Sequence, residues 1–262
     1  MFLAINEILR EKSRFVLITS VIVLVSYLVF FLTALAYGLA NSYTQALDKW
    51  EASGIILAKN ANNVIGRSLL FEDYHRKNLG NNSAPLGVGA ATVEVEGTDD
   101  VTLFGIDPTS FLAPEVSSGR VFVADDEIVI SDELEQIGVT EGDTISFQGA
   151  ETTYTVVGLV EKATFQTAPV VYMTLPAWRN AAAEVSGMTA MRNDTTVSAI
   201  VTRGDEQVAP TNERTSRQSI RDFSFTLPGY QAQVLTFSLM IGFLIAIAAF
   251  VLAIFIYILT NK

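Results

Sequence analysis

The chain has 262 residues, of which half are hydrophobic, and it contains no cysteine, one histidine and a formal net charge of −11. The acidic balance argues against a nucleic-acid-binding protein, which needs basic patches, and the lack of cysteine excludes disulfides and thiolate metal sites. A mean hydropathy of +0.36 is high for a soluble protein, and most of the apolar excess lies in two runs near the ends of the chain.

Residues 1–14 combine apolar side chains at helical spacing with charged and polar side chains that fall mostly on the opposite side. This pattern predicts a short interfacial helix on the cytoplasmic leaflet of a membrane. An extended cytoplasmic start to the following apolar run is the alternative.

The first apolar run covers residues 15–40 and contains no acidic or basic side chain. A helix of this length spans ~39 Å at ~1.5 Å per residue, enough to cross the ~30 Å hydrocarbon core of a bilayer. The segment Gly38-Leu39-Ala40 resembles a signal-peptide cleavage site, but the run is longer than the ~7–15 residues of a signal-peptide core. We therefore predict an uncleaved transmembrane helix over 15–40, with a cleaved signal peptide as the alternative.

The segment between the two apolar runs, residues 41–229, predicts one globular domain. Tyr43 and Trp50 near its start are expected in the aromatic belt at the outer membrane interface. Asn, Gly and Ser are frequent in residues 60–90, which predicts loops there with one short helix or strand around 68–74.

The rest of this segment is rich in short alternating strands without a regular βαβ rhythm, which predicts an α+β domain. Two short helices are predicted at 132–137, with Ser131 as its N-cap, and at 176–185. The predicted strands are residues 55–58, 91–96, 101–106, 127–130, 143–148, 152–159, 170–174 and 196–202.

The second apolar run covers residues 234–259 and predicts a second transmembrane helix within 230–262. Small residues recur along it at spacings of three and four, which places them on one face and predicts packing against another helix. The alternative is that Ala and Gly are simply common in transmembrane helices. The predicted packing residues are Ser238, Gly242, Ala246, Ala249 and Ala253.

Charge predicts the orientation of the chain. The two terminal flanks together carry a net charge of +2, whereas the region between the apolar runs carries −13. Short basic flanks stay in the cytoplasm, and a long loop is translocated largely regardless of its charge. We therefore expect both termini in the cytoplasm and the large domain outside the cell membrane.

Several motifs follow one another between residues 118 and 162. They are a Gly-Arg turn at 119–120, a Glu-Ile-Val-Ile-Ser strand at 127–131, a short helix at 132–137, a Gly-Asp turn at 142–143 and a Val-Val-Gly-Leu strand at 156–159. In this order they resemble the outer core domain of the MacB/FtsX-type (type VII) ABC transporter permeases, a core that covers about residues 91–203 here. The two ends of the chain are similar to the haem-exporting permeases of Gram-positive bacteria.

The resemblance implies a membrane protein in which two transmembrane α-helices flank an α+β extracytoplasmic domain. Members of the family have four spans, so the chain is expected to lack the last two. The implied function is that of a permease subunit of an ABC-type exporter, which is not an enzyme and moves haem or another amphipathic molecule from the membrane to the outside.

The implied partners are membrane lipid, a second copy of the permease and a cytoplasmic ABC ATPase, with no intrinsic cofactor and no metal. ATP hydrolysis is expected in that separate subunit, because no G-x-x-x-x-G-K-[ST] motif occurs in the sequence. The alternative function is that of an FtsX-like mechanotransmission subunit, which controls an extracellular partner protein.

Four residues are candidates for contact with haem or another cargo. Ferric haem takes oxygen, nitrogen or sulfur ligands in an apolar pocket, which tyrosine and methionine can supply. The strongest candidate lies at the outer mouth of the second apolar run. Each of the four candidates also has a purely structural interpretation, because tyrosine is common at membrane interfaces and methionine is common as a space-filling residue. The candidates are Tyr230, Met240, Tyr172 and Tyr43.

Overall fold

The computed structural model describes residues 12–71, 82–94, 98–187, 196–204 and 214–260. The chain divides into two compact units, one formed by Met1–Ala40 with Gln231–Lys262 and the other by Asn41–Tyr230. The predicted interfacial helix lies outside the described residues except for positions 12–14, which belong to the first transmembrane helix.

The helices, strands and 3-10 turns alternate irregularly along the chain. The helices are α1 (Lys12–Ser42), α2 (Gln45–Asp48), α3 (Leu175–Ser186), α4 (Ile220–Thr226) and α5 (Tyr230–Thr260). The strands are β1 (Ala52–Ala58), β2 (Leu70–Phe71), β3 (Ser83–Glu94), β4 (Thr98–Ile106), β5 (Ser118–Gly119), β6 (Glu127–Ser131), β7 (Thr144–Ser146), β8 (Thr153–Val160), β9 (Thr164–Phe165), β10 (Ala168–Thr174), β11 (Thr196–Val197), β12 (Ala199–Arg203) and β13 (Thr215–Ser219). Short 3-10 helices cover Lys59–Ala61, Ile65–Arg67 and Asp132–Ile137.

Helices α1 and α5 confirm the two predicted transmembrane helices. The segments Phe15–Ser42 and Tyr230–Tyr257 each have 28 residues, with mean hydropathies of 2.8 and 3.1. Each segment is long and apolar enough to cross a bilayer.

A mixed sheet of eleven strands organises the unit Asn41–Tyr230, which we call the outer unit. Its main path runs β13-β1-β12-β3-β4-β10-β6-β8-β5, with β7 beside β8 and β9 beside β10. The pairs β4–β10 and β6–β8 are parallel, and the others are antiparallel. Strands β2 and β11 form a separate pair. The predicted α+β class is therefore confirmed.

Hydrophobic clusters cover both faces of this sheet. Along β10, Val171 and Met173 belong to the first core cluster, which also contains Trp178 of α3. Val170 and Tyr172 belong to the second core cluster. Because successive side chains of a strand point to opposite faces, the two clusters lie on opposite sides of the sheet.

The start of β3 corrects the prediction of loops over residues 60–90, because positions 83–90 are strand. The glycines there are explained by packing and not by turns. A Cβ atom built on Gly87 would lie 2.2 Å from the Trp178 ring, and one on Gly105 of the neighbouring β4 would lie 2.4 Å from Trp178 Cβ. Trp178 therefore packs directly onto the backbone of two paired strands.

Trp50 corrects a second expectation, because it lies in the protein core and not in an aromatic belt. It is only 2% exposed, and its ring centroid is 5.5 Å from that of Phe104 in the second core cluster. Helix α1 ends at Ser42, and Trp50 lies between the short helix α2 and strand β1. The indole therefore belongs to the outer unit and packs in its core.

The helix predicted at 132–137 is present as a 3-10 helix with the same bounds and ends at Gly138, whose φ is +88°. Ser131 occupies the predicted N-cap position, but among the described residues its side chain makes no capping hydrogen bond to the helix. Ser131 is the last residue of β6 and is fully buried. The neighbouring Asp132 carboxylate instead accepts a hydrogen bond from the Lys162 N–H at 2.9 Å.

Candidate functional site

Three aromatic side chains meet where the outer unit connects to the transmembrane helices. Tyr43 follows the last residue of α1, Tyr230 is the first residue of α5, and Phe225 lies in α4. The Tyr43 and Tyr230 ring centroids are 5.5 Å apart at an interplanar angle of 63°, and those of Phe225 and Tyr230 are 5.6 Å apart at 67°. These are edge-to-face contacts, the geometry that aromatic pairs prefer. We call these three residues the aromatic cluster.

A tight turn before α5 holds the aromatic cluster together. The Tyr230 N–H donates to the Leu227 carbonyl at 3.2 Å, with Pro228 and Gly229 at the centre of the turn. Gly229 has a φ of +83°, which suits the third position of a type II turn. A Cβ atom at this position would lie 3.1 Å from the Tyr43 hydroxyl. Glycine therefore satisfies the turn and also makes room for the phenol.

The chemistry of the aromatic cluster combines apolar ring faces with two phenol groups. Tyr43 and Tyr230 are half-buried, and Phe225 is 42% exposed. A phenol hydroxyl donates and accepts hydrogen bonds and can bind a metal centre of a ligand through its oxygen. The cluster can therefore contact a flat aromatic ligand through its rings and a polar or metal atom through its hydroxyls.

Phe225 and Gly229 were not among the residues singled out from the sequence. The signal that points to them is the Pro-Gly turn that links a short aromatic segment to the second apolar run. The local sequence does not show that Tyr43, almost 190 residues earlier in the chain, packs against this turn.

Tyr172 lies apart from the aromatic cluster, in the second core cluster of the outer unit. It is 1% exposed, and its ring packs edge-to-face on Phe104 with centroids 5.7 Å apart. Burial raises the pKa of its phenol, because the phenolate would lose its hydration. These contacts are those of a core residue.

Met240 lies ten residues after Tyr230 on α5 and is 45% exposed. Helix geometry places it roughly 15 Å further along the axis and about 80° around it. The Tyr230 and Met240 side chains therefore lie at different depths along the transmembrane helix. A ligand that contacts both must span roughly 15 Å.

Two different stripes run along α5. One consists of half-buried residues at spacings of three and four, and α1, which belongs to the same compact unit, carries a similar stripe. This is the pattern expected where two helices of one unit pack against each other. On α5 this half-buried stripe comprises Val234, Phe237, Ile241, Leu244, Ala248, Val251 and Phe255.

The predicted small-residue face is the other stripe, and all five of its residues are exposed. A Cβ atom on Gly242 would meet nothing within 4 Å in the described part of the chain. The face points roughly 135° away from the half-buried stripe at 100° per residue. It is therefore distinct from the stripe by which α5 is partly buried in its own unit.

The family motifs between 118 and 162 have structural roles. Arg120 Nη1 donates to Glu127 Oε2 at 2.8 Å, its Nη2 donates to Oε1, and the Val123 N–H donates to Oε2 at 2.9 Å. These hydrogen bonds from Arg120 and from the backbone lower the pKa of Glu127 to about 2. A Cβ atom on Gly158 would lie 2.6 Å from the Arg120 carbonyl oxygen, so glycine permits the close pairing of β5 and β8.

Sequence comparison places this architecture among known permeases, although no protein-family model matches the chain. The chain is 26% identical over 266 residues to a Staphylococcus haemolyticus protein named as hemin transport system permease protein HrtB, an alignment that covers 99% of this chain and 72% of the relative. A Staphylococcus epidermidis protein of the same name is 24% identical over 264 residues, with the same coverage. Over nearly its whole length, the chain is therefore similar to permeases named HrtB.

Among solved structures, the chain is similar to the extracellular domain of YknZ, an ABC-type transporter from Gram-positive bacteria. The TM-score is 0.39 at 13% identity, over 60% of this chain and 84% of that domain.

The alignments with the two Staphylococcus permeases confirm the resemblance read from the motifs. This HrtB/FtsX-like chain is an ABC transporter permease, which is a transport subunit and not an enzyme. It is a membrane protein with an extracellular domain.

Proposed function

We propose that this permease is the membrane subunit of an exporter that moves haem, or another amphipathic molecule, from the membrane to the outside. The observation that carries the proposal is the aromatic cluster, in which two phenols and an exposed phenylalanine lie where both transmembrane helices join the outer unit. Alignment of nearly the whole chain with proteins named for hemin transport supports the choice of cargo.

In this proposal both termini are cytoplasmic, and a separate ABC ATPase binds the permease from that side. Two copies of the permease associate within the membrane. The positive balance of the terminal flanks supports the orientation, and the exposed small-residue face of α5 supports self-association.

The cargo contact that we propose is the Tyr230 hydroxyl, assisted by the Tyr43 ring and hydroxyl. Tyrosine oxygen is an established axial ligand for haem iron, and aromatic rings pack well against a porphyrin. Met240 is a second position that the cargo contacts deeper in the membrane. Tyr172 is not part of the proposed site, because its side chain is buried in the outer unit.

The test is a haem titration of the detergent-purified permease, followed by the Soret absorbance. We expect saturable binding that the Tyr230→Phe variant weakens on the order of tenfold, because the substitution removes one oxygen ligand and keeps the ring. Tyr172→Phe is the matched control and should bind like the wild type, since it removes the same atom from a buried position. Equal haem affinity for wild type and Tyr230→Phe would contradict the assignment of Tyr230.

The second candidate function is FtsX-like mechanotransmission to an extracellular protein. The observation that favours it is Val123, which is 79% exposed on a loop held by Glu127 through the Val123 and Ala124 N–H groups. A single exposed apolar residue is ordinary on a protein surface, but the hydrogen bonds to Glu127 hold Val123 where a partner protein can contact it. No Soret change with haem, together with stable capture of one extracellular protein that Val123→Asp abolishes, would support this function over export.

A further inference from the structure

The end of α1 is held by the turn between β9 and β10. The Thr167 N–H donates to the Ser42 carbonyl at 3.2 Å, and the Gln166 N–H donates to the Tyr43 carbonyl at 3.1 Å. The last carbonyls of a helix have no partner within the helix and need one elsewhere. Here the partners come from a turn more than 120 residues away in the sequence.

Thr164 adds a side-chain hydrogen bond to the same helix end. Its hydroxyl donates to the Ser42 carbonyl at 2.7 Å and is 3.0 Å from Gln45 Oε1. Thr164 is 1% exposed, so water cannot replace these partners easily. This bond can be removed by a side-chain substitution that leaves the backbone of the turn intact.

The turn itself is firmly attached to the sheet. Gln166 and Thr167 have φ values of +52° and +71°, as expected for a two-residue turn that connects twisted antiparallel strands. Strand β10 continues from this turn and pairs with β4 on one side and β6 on the other, in the middle of the sheet. A movement of β10 therefore carries the turn, and with it the backbone of Ser42 and Tyr43.

We propose that the β9–β10 turn positions the Tyr43 ring in the aromatic cluster, with Thr164 as the positioning residue. Tyr43 links two parts of the outer unit, because its backbone carbonyl binds the turn while its ring packs on Tyr230. The outer sheet thereby sets the contact between the end of α1 and the start of α5. The proposal rests on the proposed function only for the biological role of the aromatic cluster.

The test uses the full chain in nanodiscs with 3-fluorotyrosine incorporated at position 43, observed by ¹⁹F NMR. The Tyr230 ring lies close enough to shift the resonance of a fluorine on the Tyr43 ring, so Tyr230→Leu defines the signal of the broken contact. We expect Thr164→Val, which has the same shape without the hydroxyl, to move or broaden the signal toward that of Tyr230→Leu. Thr164→Ser retains the hydroxyl and should restore the wild-type signal.

Tryptophan fluorescence, which reports on the buried Trp50 and Trp178, verifies that each variant is folded. Thr164→Ala serves as the second hydroxyl-free variant if Thr164→Val does not fold. A wild-type fluorine signal in a folded hydroxyl-free variant overturns the proposal. An unchanged signal in Tyr230→Leu overturns it as well, because the ring contact would then be absent. Neither haem nor an ATPase is present in the sample, so a failed haem titration and a failed fluorine experiment are independent results.

Discussion

Single residues at the sheet surface determine how closely α3 approaches the sheet. Trp178 lies over Gly87 and Gly105 of adjacent strands, and neither position has room for a methyl group. Because protein cores are close-packed, a methyl group placed against a buried indole must displace the ring or the helix that carries it. The glycines of β3 and β4 are therefore packing residues, despite their low strand propensity.

Gly105→Ala tests this packing. We expect a loss of about 1–3 kcal/mol in the free energy of unfolding, the usual cost of overpacking a core, or roughly 2–10 °C in Tm. Gly66→Ala is the control, because a Cβ atom at Gly66 meets nothing within 4 Å among the residues that the structure describes. Denaturation of the detergent-solubilised chain, followed by tryptophan fluorescence, measures both variants. Equal stability of the two would show that α3 moves away at no cost.

A second prediction at this scale concerns Glu127. Its folded-state pKa of about 2 lies below its ordinary value of 4.5, so its carboxylate stabilises the fold above about pH 4.5, and this stabilisation is lost as the pH falls toward 2. We expect Glu127→Gln to lower Tm at pH 7 by about 2–4 °C, the effect of roughly 1 kcal/mol. The difference in Tm between wild type and Glu127→Gln should shrink by more than half between pH 7 and pH 3.

Thermal melts at pH 7, 5, 4 and 3 check this prediction. Glu135→Gln removes an exposed carboxylate from the same domain and is the control. A difference between wild type and Glu127→Gln that stays constant down to pH 3 would mean that the Arg120 contact does not depend on the charge of Glu127.

Among the elements, α5 is distinguished by its two stripes. The half-buried stripe lies toward its own unit, whereas the small-residue face is exposed, with bulky residues such as Phe243 and Phe250 beyond it. Apolar contact with another helix gives no advantage over contact with lipid, so close backbone approach at small residues is what favours helix association. The exposed small-residue face is therefore the surface where we expect a second copy of the chain.

Replacing Gly242 and Ala246 together by Leu should weaken self-association in detergent on the order of tenfold, because the backbones can no longer approach closely. Thr236→Leu is the matched control, since it enlarges an exposed side chain on a different face of α5. Sedimentation equilibrium measures the dissociation constants. Unchanged association in the double variant would exclude this face as the dimer contact.

For the whole molecule, the central expectation is that the outer unit and the termini lie on opposite sides of the membrane. The chain has no cysteine, so single cysteines can be introduced without background. Val123→Cys, which replaces an exposed residue of the outer unit, should react with a membrane-impermeant maleimide in intact cells. Lys12→Cys should react only after permeabilisation, and its labelling in intact cells would reverse the proposed orientation.

Local sequence patterns were sufficient to predict the helices and strands whose structure depends mainly on neighbouring residues in the sequence. Long uncharged runs determine α1 and α5, since a bilayer-spanning helix satisfies its own backbone hydrogen bonds. The strand segments of β7 and β8 and helix α3 were also predicted, because alternation and helical spacing act over a few residues. Strand β13 was missed, because its polar residues acquire strand structure by pairing with β1 and carry little apolar alternation.

The tertiary structure alone decided which aromatic residues are buried and which meet. In the sequence, apolar or mixed surroundings are common to the aromatic residues Trp50, Tyr172 and Tyr43. In the structure, Trp50 and Tyr172 lie in the core, whereas Tyr43 packs against Tyr230. That difference arises from contacts between residues more than 100 positions apart, such as Tyr43 with Gln166 and Tyr230. Composition and periodicity thus determined the membrane-spanning architecture and the α+β class, whereas the aromatic cluster depends on long-range packing, which no local pattern encodes.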